Sequence, residues 1–236
     1  MNRIQSRLQI LRNRQTPALP TPQAKSDAEE ATLYLYDVID PFWGVSAAGF
    51  VKELQGIQAK TIHLRINSPG GDVFDGRAIA TAIRQHPAKI IAHVDGMALS
   101  AASWIALAAA EVEIADGAYF MIHRAWAFAA GNAADMLSMA ELLEKVDQDL
   151  IREYVAETGN VEDKIRAWLD AETWFNADEA VDNGFADRKV EAFAEAKNAW
   201  DLSVYDKTPQ ALLESAAPAI DWEAKHLEAS RFARAL

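Results

Sequence analysis

Apolar and polar positions follow two patterns along this chain. Short runs rich in β-branched and aromatic residues predict strands, and Lys89–Val94 is a near-continuous apolar run of the type that is buried on both faces of a parallel sheet. Because segments with helical spacing separate these runs, the pattern predicts an α/β fold with a substantially parallel sheet. The predicted strands are Thr32–Tyr36, Thr61–Ile66, Lys89–Val94, Glu111–Ile114 and Tyr119–Ile122.

One predicted helix, Asn132–Gly159, is much longer than the others. Asn132 is a natural N-cap, Asp135 at the third helical position completes a pattern close to a capping box, and Gly159 is the expected C-cap. Its length of roughly 40 Å allows it to project and pack against another subunit. Its apolar stripe is Met136, Met139, Leu142, Leu143, Val146, Leu150, Tyr154 and Val155. The other predicted helices are Ser46–Leu54 (N-cap Ser46), Gly76–Gln85, Ser100–Ala110, Pro209–Ala216 and Trp222–Leu236.

Composition excludes several classes of function. The net charge of −12 argues against general nucleic-acid binding, and the absence of cysteine excludes disulfides, thiolate catalysis and cysteine–zinc sites. The chain contains neither an apolar run of about 18 residues nor the pattern of a secretory signal. We therefore expect a cytoplasmic protein without membrane or nucleic-acid partners, and no cofactor or metal.

The 236 residues fit one domain with appendages. Residues 1–30 are expected to form a flexible arm, because three prolines interrupt the helical spacing within it; an interaction or propeptide segment is the alternative. Residues 31–192 carry the strand–helix pattern. Residues 193–236 are rich in Ala, Glu, Lys and Asp, and we expect them to form an appendage outside the main core.

One serine stands where a nucleophile is expected. Ser100 follows an apolar strand and Gly96, and it opens a predicted helix. There its hydroxyl would be exposed, and the N–H of Ala101 would point into the same space at a helix N-terminus that favours negative charge. A serine hydroxyl reacts only with the help of a positioned base. Without one, Ser100 would be an ordinary N-cap.

Two further features supply candidate partners. Gly70 and Gly71 end the segment Ser68-Pro69-Gly70-Gly71 after a strand, and the N–H of Gly71 is a candidate second oxyanion donor; the alternative is an ordinary turn. His123 ends the run Tyr119–Ile122 and is the candidate base, although a histidine at a strand end is often structural. The weaker histidine candidates are His63, His86, His93 and His226.

The acid that would orient the base is left open between two residues. Asp170 and Glu172 both precede the aromatic pair Trp174-Phe175, and either carboxylate would suit the task. A solvated acidic loop is the alternative. The order nucleophile, base, acid differs from the orders of chymotrypsin, subtilisin and the α/β-hydrolases, so those folds are disfavoured.

Four segments in this order resemble the ClpP peptidase family of the ClpP/crotonase superfamily. They are Ile66–Val73 (the glycine loop), Gly96–Ala101 (the nucleophile motif), Met121–His123 (the histidine motif) and Asn176–Asp187 (the closing helix and strand). The likeness is greatest to the head maturation (prohead) proteases of tailed bacteriophages and prophages. It covers roughly Thr32 to Val190, which makes residues 31–192 a ClpP-like peptidase domain.

The resemblance implies a role for each candidate residue. Ser100 would be the nucleophile and His123 the base, and the N–H groups of Gly71 and Ala101 would form the oxyanion hole. Glu172 stands where the family usually has its acid, an aspartate, and would be the third member of the triad.

Asp170 remains the alternative acid. Met97 replaces the family's usual glutamine, with no catalytic consequence that we can derive. The resemblance also implies repeated ββα units, with Asn132–Gly159 as a long projecting handle helix through which subunits pair into homo-oligomeric rings.

The expected function is a serine endopeptidase, ATP-independent or partner-assisted. Its expected substrates are capsid or scaffold polypeptides during phage head maturation, and also its own chain, in the cytoplasm of a bacterial host. The alternatives are a non-catalytic assembly subunit and a crotonase-fold acyl-CoA enzyme, which would not need the Ser–His pair. A serine–lysine signal-peptide peptidase is disfavoured because Lys60 and Lys89 lie at strand starts, far from Ser100.

Overall fold

The computed structural model describes residues 25–26, 29–42, 44–192, 202 and 205–215. The larger compact unit spans residues 18–196 and holds the sheet. The second unit is described at 202 and 205–215, where a helix lies at Gln210–Ser215, within the predicted Pro209–Ala216. Most of the arm 1–30 and the predicted helix Trp222–Leu236 lie outside the described residues.

The described residues form eight strands and seven helices, which confirms a mixed α/β fold. The sheet order is β1-β2-β3-β4-β5-β8, and β6 pairs with both β4 and β7. The β1–β2 and β6–β7 pairs are antiparallel, and the other pairs are parallel. The strands are β1 Lys25–Ser26, β2 Glu30–Leu35, β3 Thr61–Ser68, β4 Lys89–Leu99, β5 Glu111–Ala115, β6 Tyr119–Ile122, β7 Thr173–Asn176 and β8 Arg188–Val190; the helices are α1 Ala47–Gly56, α2 Val73–Gln85, α3 Ala101–Leu107, α4 Ala133–Thr158, α5 Glu162–Ala171, α6 Ala177–Asp182 and α7 Gln210–Ser215.

The central strand β4 differs from its prediction in length and in burial. It continues to Leu99 because Met97–Leu99 pairs in parallel with Tyr119–Met121 of β6. Burial on both faces was wrong for this chain: Ile90, Ala92 and Val94 are buried, whereas the residues between them are partly exposed. The hydrophobic core contains these three residues together with side chains of α1 and α2.

The opposite face of the sheet carries paired polar side chains. Arg65 on β3 donates to Asp95 on β4 from Nε at 2.8 Å and from Nη2 at 2.5 Å. His93 places Nδ1 2.7 Å from Glu113 and Nε2 2.9 Å from Nδ1 of His63. Burial lowers the pKa of His93. Two of the weaker histidine candidates therefore bond each other across this face.

Helix α4 has the expected ends and length. The Asn132 side chain accepts from the N–H groups of Ala134 and Asp135, and the Asp135 carboxylate accepts from the Asn132 N–H, so the capping box is complete. Gly159 caps the other end with φ 71°. The 26 residues span about 39 Å. No helix in the described part of the chain is both long and apolar enough to cross a membrane.

The two halves of α4 lie in different environments. Its buried residues, Asp147, Leu150, Ile151 and Tyr154, all belong to the C-terminal half. Residues 133–138 are exposed, and so is Leu142 of the apolar stripe. The stripe therefore continues beyond the core of this chain. The handle role of the helix and the repeated ββα units remain predictions.

Candidate active site

The carboxyl ends of two neighbouring parallel strands bring the candidate nucleophile and base together. Ser100 directly follows β4, and His123 directly follows β6. Because β4 and β6 run in parallel with Leu99 opposite Met121, the two residues emerge at the same edge of the sheet. The Ser100 Oγ lies 2.7 Å from the His123 Nε2. An imidazole protonated at Nδ1 accepts the serine proton at Nε2 in this arrangement.

Ser100 adopts a strained backbone conformation. Its φ is 54° and its ψ −124°, a region that costs a residue other than glycine about 1–3 kcal/mol. The N–H of Ser100 donates to the Met121 carbonyl at 2.9 Å, and its carbonyl accepts from the Ser103 Oγ at 2.6 Å. The side chain makes no capping bond, and the helix begins at Ala101. The N-cap alternative was therefore wrong: the hydroxyl turns toward His123 instead.

The hydroxyls of Ser103 and Tyr154 form a pair that supports this turn. Ser103 uses its proton on the Ser100 carbonyl, so the Tyr154 hydroxyl, 2.7 Å away, must donate to the Ser103 Oγ. Burial raises the pKa of Tyr154 well above its usual value, which keeps the phenol a donor. Tyr154 belongs to α4, so this helix supports the nucleophile through two consecutive hydrogen bonds.

The glycine loop abuts the nucleophile turn. Gly70 has φ 85°, and a Cβ there would lie 2.9 Å from the Cβ of Ser100 and 3.0 Å from the Ala101 nitrogen. Ile39 anchors the loop, donating to the Gly70 carbonyl at 2.9 Å and accepting from the Asp72 N–H at 2.8 Å. Gly71 lies between these two bonds and is exposed. As the first residue of α3, Ala101 has an N–H without an intrahelical acceptor. The oxyanion roles of Gly71 and Ala101 remain predictions.

The strand register distinguishes between the two candidate acids. Ile122 pairs with Thr173 in the antiparallel β6–β7 ladder, so continuing this register by one residue places Glu172 opposite His123. Glu172 ends α5 with φ 48° and accepts from the Trp174 indole N–H at 3.3 Å. The alternative, a solvated acidic loop, was wrong: Asp170 lies in α5, and Glu172 directly follows this helix and precedes β7.

Asp170 forms an ion pair with Arg124. Its carboxylate accepts from the Arg124 Nε, and this hydrogen bond lowers the pKa of Asp170. Arg124 also donates from Nη1 to Asp147 of α4 at 2.9 Å. The candidate alternative acid is thus an ion-pair partner of the residue after His123.

Sequence reasoning missed four residues around the pair: Ser103, Arg124, Asp147 and Tyr154. One signal was available, because Asp147 is a charged residue within the apolar face of α4, one turn from Leu150 and Ile151. A carboxylate in such a position needs a buried partner. Within the described ranges, no group of three or more His, Asp or Glu side chains is arranged to hold a metal ion.

We expect Ser103→Ala to destabilise the protein by about 1–3 kcal/mol, because the buried Tyr154 hydroxyl loses its acceptor and the Ser100 carbonyl loses a donor. Tyr154→Phe is the matched control: it removes one hydroxyl but leaves the Ser103–Ser100 bond. Urea unfolding of both variants measures the difference. Equal losses of unfolding free energy would show that the bond to the Ser100 carbonyl does not contribute.

Comparisons with known proteins show which family the chain resembles. The profile described as Clp protease matches residues 46–192, which include Ser100, His123 and Glu172. The ATP-dependent Clp protease proteolytic subunit 3 of Rhodococcus jostii (strain RHA1) is 35% identical over 138 residues, 58% of this chain and 68% of that protein. The proteolytic subunit 2 of Mycolicibacterium paratuberculosis is 30% identical over 141 residues, 59% and 71% of the two chains. The proteolytic subunit 1 of Mycobacterium bovis is 31% identical over 134 residues, 56% and 67%.

Proposed function

This chain belongs to the Clp protease family, and from that premise we propose that it is a serine endopeptidase with Ser100 as nucleophile and His123 as general base. The observation that carries the proposal is the 2.7 Å contact between the Ser100 Oγ and the His123 Nε2. The strained turn at Ser100, held by hydrogen bonds at both of its peptide groups, supports it further, because such strain is concentrated at functional sites.

The proposed reaction is acyl transfer in two halves. The Ser100 Oγ attacks the peptide carbonyl carbon while the His123 Nε2 takes the hydroxyl proton. The N–H groups of Ala101 and Gly71 stabilise the oxyanion. The C–N bond breaks as His123 returns the proton to the leaving amine, which leaves an ester on Ser100. A water molecule then gives a proton to His123, attacks the ester and releases the acid, and Ser100 regains its proton.

Glu172 is the proposed third member of the triad. Its task is to hold the His123 imidazole in the Nδ1–H tautomer and to stabilise the imidazolium that forms. The strand register supports Glu172, since it lies opposite His123 when the β6–β7 pairing is continued. The ion pair with Arg124 argues against Asp170.

We further propose that subunits associate through the N-terminal half of α4. Its apolar stripe leaves the core of this chain with Leu142 42% exposed, and exposed apolar stripes mark protein–protein contacts. Association there makes α4 the handle helix of a homo-oligomeric ring.

Polypeptides are the proposed substrates. The finer role, the processing of capsid or scaffold proteins in a phage head within a bacterial cytoplasm, rests on the resemblance of the sequence motifs. The relatives are named as proteolytic subunits of ATP-dependent Clp proteases, so partner-assisted proteolysis is an equal prediction. Mass spectrometry of phage capsid proteins incubated with the purified chain tests whether the chain cleaves them without an ATPase.

A fluorophosphonate probe tests the nucleophile. We expect one adduct on the wild-type protein and none on Ser100→Ala, measured by intact mass spectrometry, because only an activated serine reacts at a useful rate. Peptide hydrolysis should fall by about 10⁶-fold in the same variant.

Ser138→Ala is the control, because Ser138 is an exposed serine on α4, and this variant should retain the adduct. An adduct that persists in Ser100→Ala would refute the nucleophile assignment. A folded wild-type protein without any adduct would favour the assembly-subunit alternative, whereas hydrolysis of acyl-CoA instead of peptides would favour the crotonase one.

The two acids make a matched pair for a second experiment. Glu172→Gln should lower kcat by about 10⁴-fold, because the imidazole loses the charge that orients it. Asp170→Asn should lower kcat by no more than about 100-fold, since Asp170 pairs with Arg124 rather than lying opposite His123. Peptide hydrolysis by the two purified variants measures both effects. An inactive Asp170→Asn beside an active Glu172→Gln would reverse the assignment.

The same substitution at two positions of α4 tests the assembly proposal. Leu142→Glu should lower the molar mass measured by light scattering, because it places a charge in the apolar stripe. Leu137→Glu is the control, since Leu137 is more exposed, at 67%, but is turned about 140° around the helix from Leu142. Equal masses for the two variants would rule out this face as the contact.

A further inference from the structure

The chain leaves the sheet at the base. Residues 123–132 form no helix or strand, so the ladder that aligns β6 ends at Ile122, just before His123. The position of the imidazole therefore depends on what fixes the next two residues. Arg124 donates its N–H to the Leu169 carbonyl at 3.3 Å, and Ala125 donates its N–H to the Asp147 Oδ1 at 2.8 Å.

Asp147 is a buried carboxylate with two donors from this segment. It is only 4% exposed, and it accepts from the Ala125 N–H and, at 2.9 Å, from the Arg124 Nη1. Hydrogen bonds in which both partners are charged are stronger than neutral ones and well defined in direction. Asp147 belongs to α4, so it fixes the segment after the base to the longest helix of the fold.

Arg124 also reaches the element that carries the proposed acid. Its Nε donates to Asp170 of α5, two residues before Glu172. The planar guanidinium thus bridges two carboxylates with different nitrogens, a geometry that the point charge of a lysine cannot reproduce. These contacts raise the pKa of Arg124 above its usual value, so it remains charged wherever the enzyme is folded.

We propose that Arg124 and Asp147 are positioning residues that hold the His123 imidazole and the Glu172 turn in register with Ser100. The proposal rests on the proposed function. The Arg124 clamp, defined as Arg124 with Asp147 and Asp170, acts on the base from one side and on the acid from the other. A misplacement of about 1 Å in such a constellation lowers the rate about 100-fold.

The charge of the clamp is tested by substitution of Arg124. We expect Arg124→Gln to lower kcat for peptide hydrolysis about 100-fold with KM within about threefold, because the clamp does not touch the substrate. Arg124→Lys should recover at least about tenfold of this loss, since it keeps the charge for one carboxylate. Arg152→Gln is the matched control, because Arg152 is an exposed arginine that pairs with Asp149 on α4.

Substitutions of Asp147 distinguish its ion pair with Arg124 from its hydrogen bond to the Ala125 N–H. Asp147→Asn keeps an oxygen for the Ala125 N–H but loses the ion pair, whereas Asp147→Ala loses both. We expect Asp147→Ala to be the slower enzyme of the two. Thermal unfolding identifies any variant that does not fold, in which case the Arg124 series alone decides.

A readout that needs no activity separates this proposal from the proposed function. Magic-angle-spinning NMR of protein labelled with ¹⁵N at histidine reports the tautomer of His123, whose signals are those lost in His123→Gln. We expect a single Nδ1–H tautomer in the wild type and in Arg152→Gln, and mixed tautomers in Arg124→Gln.

The possible outcomes are distinct. A folded Arg124→Gln variant with the wild-type tautomer, and with kcat close to that of Arg152→Gln, would overturn the clamp. A wild-type protein that neither hydrolyses peptides nor reacts with the fluorophosphonate would overturn the proposed function. The change of tautomer in Arg124→Gln would then still show whether the clamp positions His123.

Discussion

The site depends on one contact, the parallel pairing of the last residues of β4 with β6. Leu99 lies opposite Met121, and the Ser100 N–H extends the ladder to the Met121 carbonyl at 2.9 Å. Ser100 and His123 are 23 residues apart in sequence, and this pairing makes them neighbours. If β4 ended at Val94, where its apolar run ends, Ser100 and His123 would lie on separate loops with no strand pairing between them.

That pairing brings the backbone of Ser100 into a conformation that a serine does not adopt unaided. The strain of about 1–3 kcal/mol is offset locally, since the Ser100 carbonyl accepts from the Ser103 Oγ at 2.6 Å and its N–H is bonded to β6. A serine that capped its own helix would spend its hydroxyl on the backbone. The strained turn leaves the hydroxyl to bond the imidazole. The same backbone conformation therefore costs stability and directs the hydroxyl to His123.

Helix α4 supports the candidate site with its buried half, and its exposed half is the proposed surface for association. Two of its buried polar residues, Asp147 and Tyr154, are seven positions apart and therefore lie on the same side of the helix. Asp147 bonds the segment after His123, and Tyr154 bonds Ser103 below Ser100. The exposed half of the same helix continues the apolar stripe beyond the core. If subunits associate there, as we propose, the helix that forms the contact between them also bonds the segments that carry Ser100 and His123.

Much of this protein can be predicted from its sequence alone. The capping signals at Asn132 and Gly159 are local interactions, so they predict α4 without knowledge of the fold, and the motifs around Ser100 and His123 predict a nucleophile and a base. The acid could not be chosen in this way, because Asp170 and Glu172 carry the same charge within one short segment. The tertiary structure favours Glu172: it would lie opposite His123 if the β6–β7 pairing continued by one residue, and Arg124 engages Asp170. Strand pairing and ion pairs of this kind join residues far apart in sequence, and no local pattern records them.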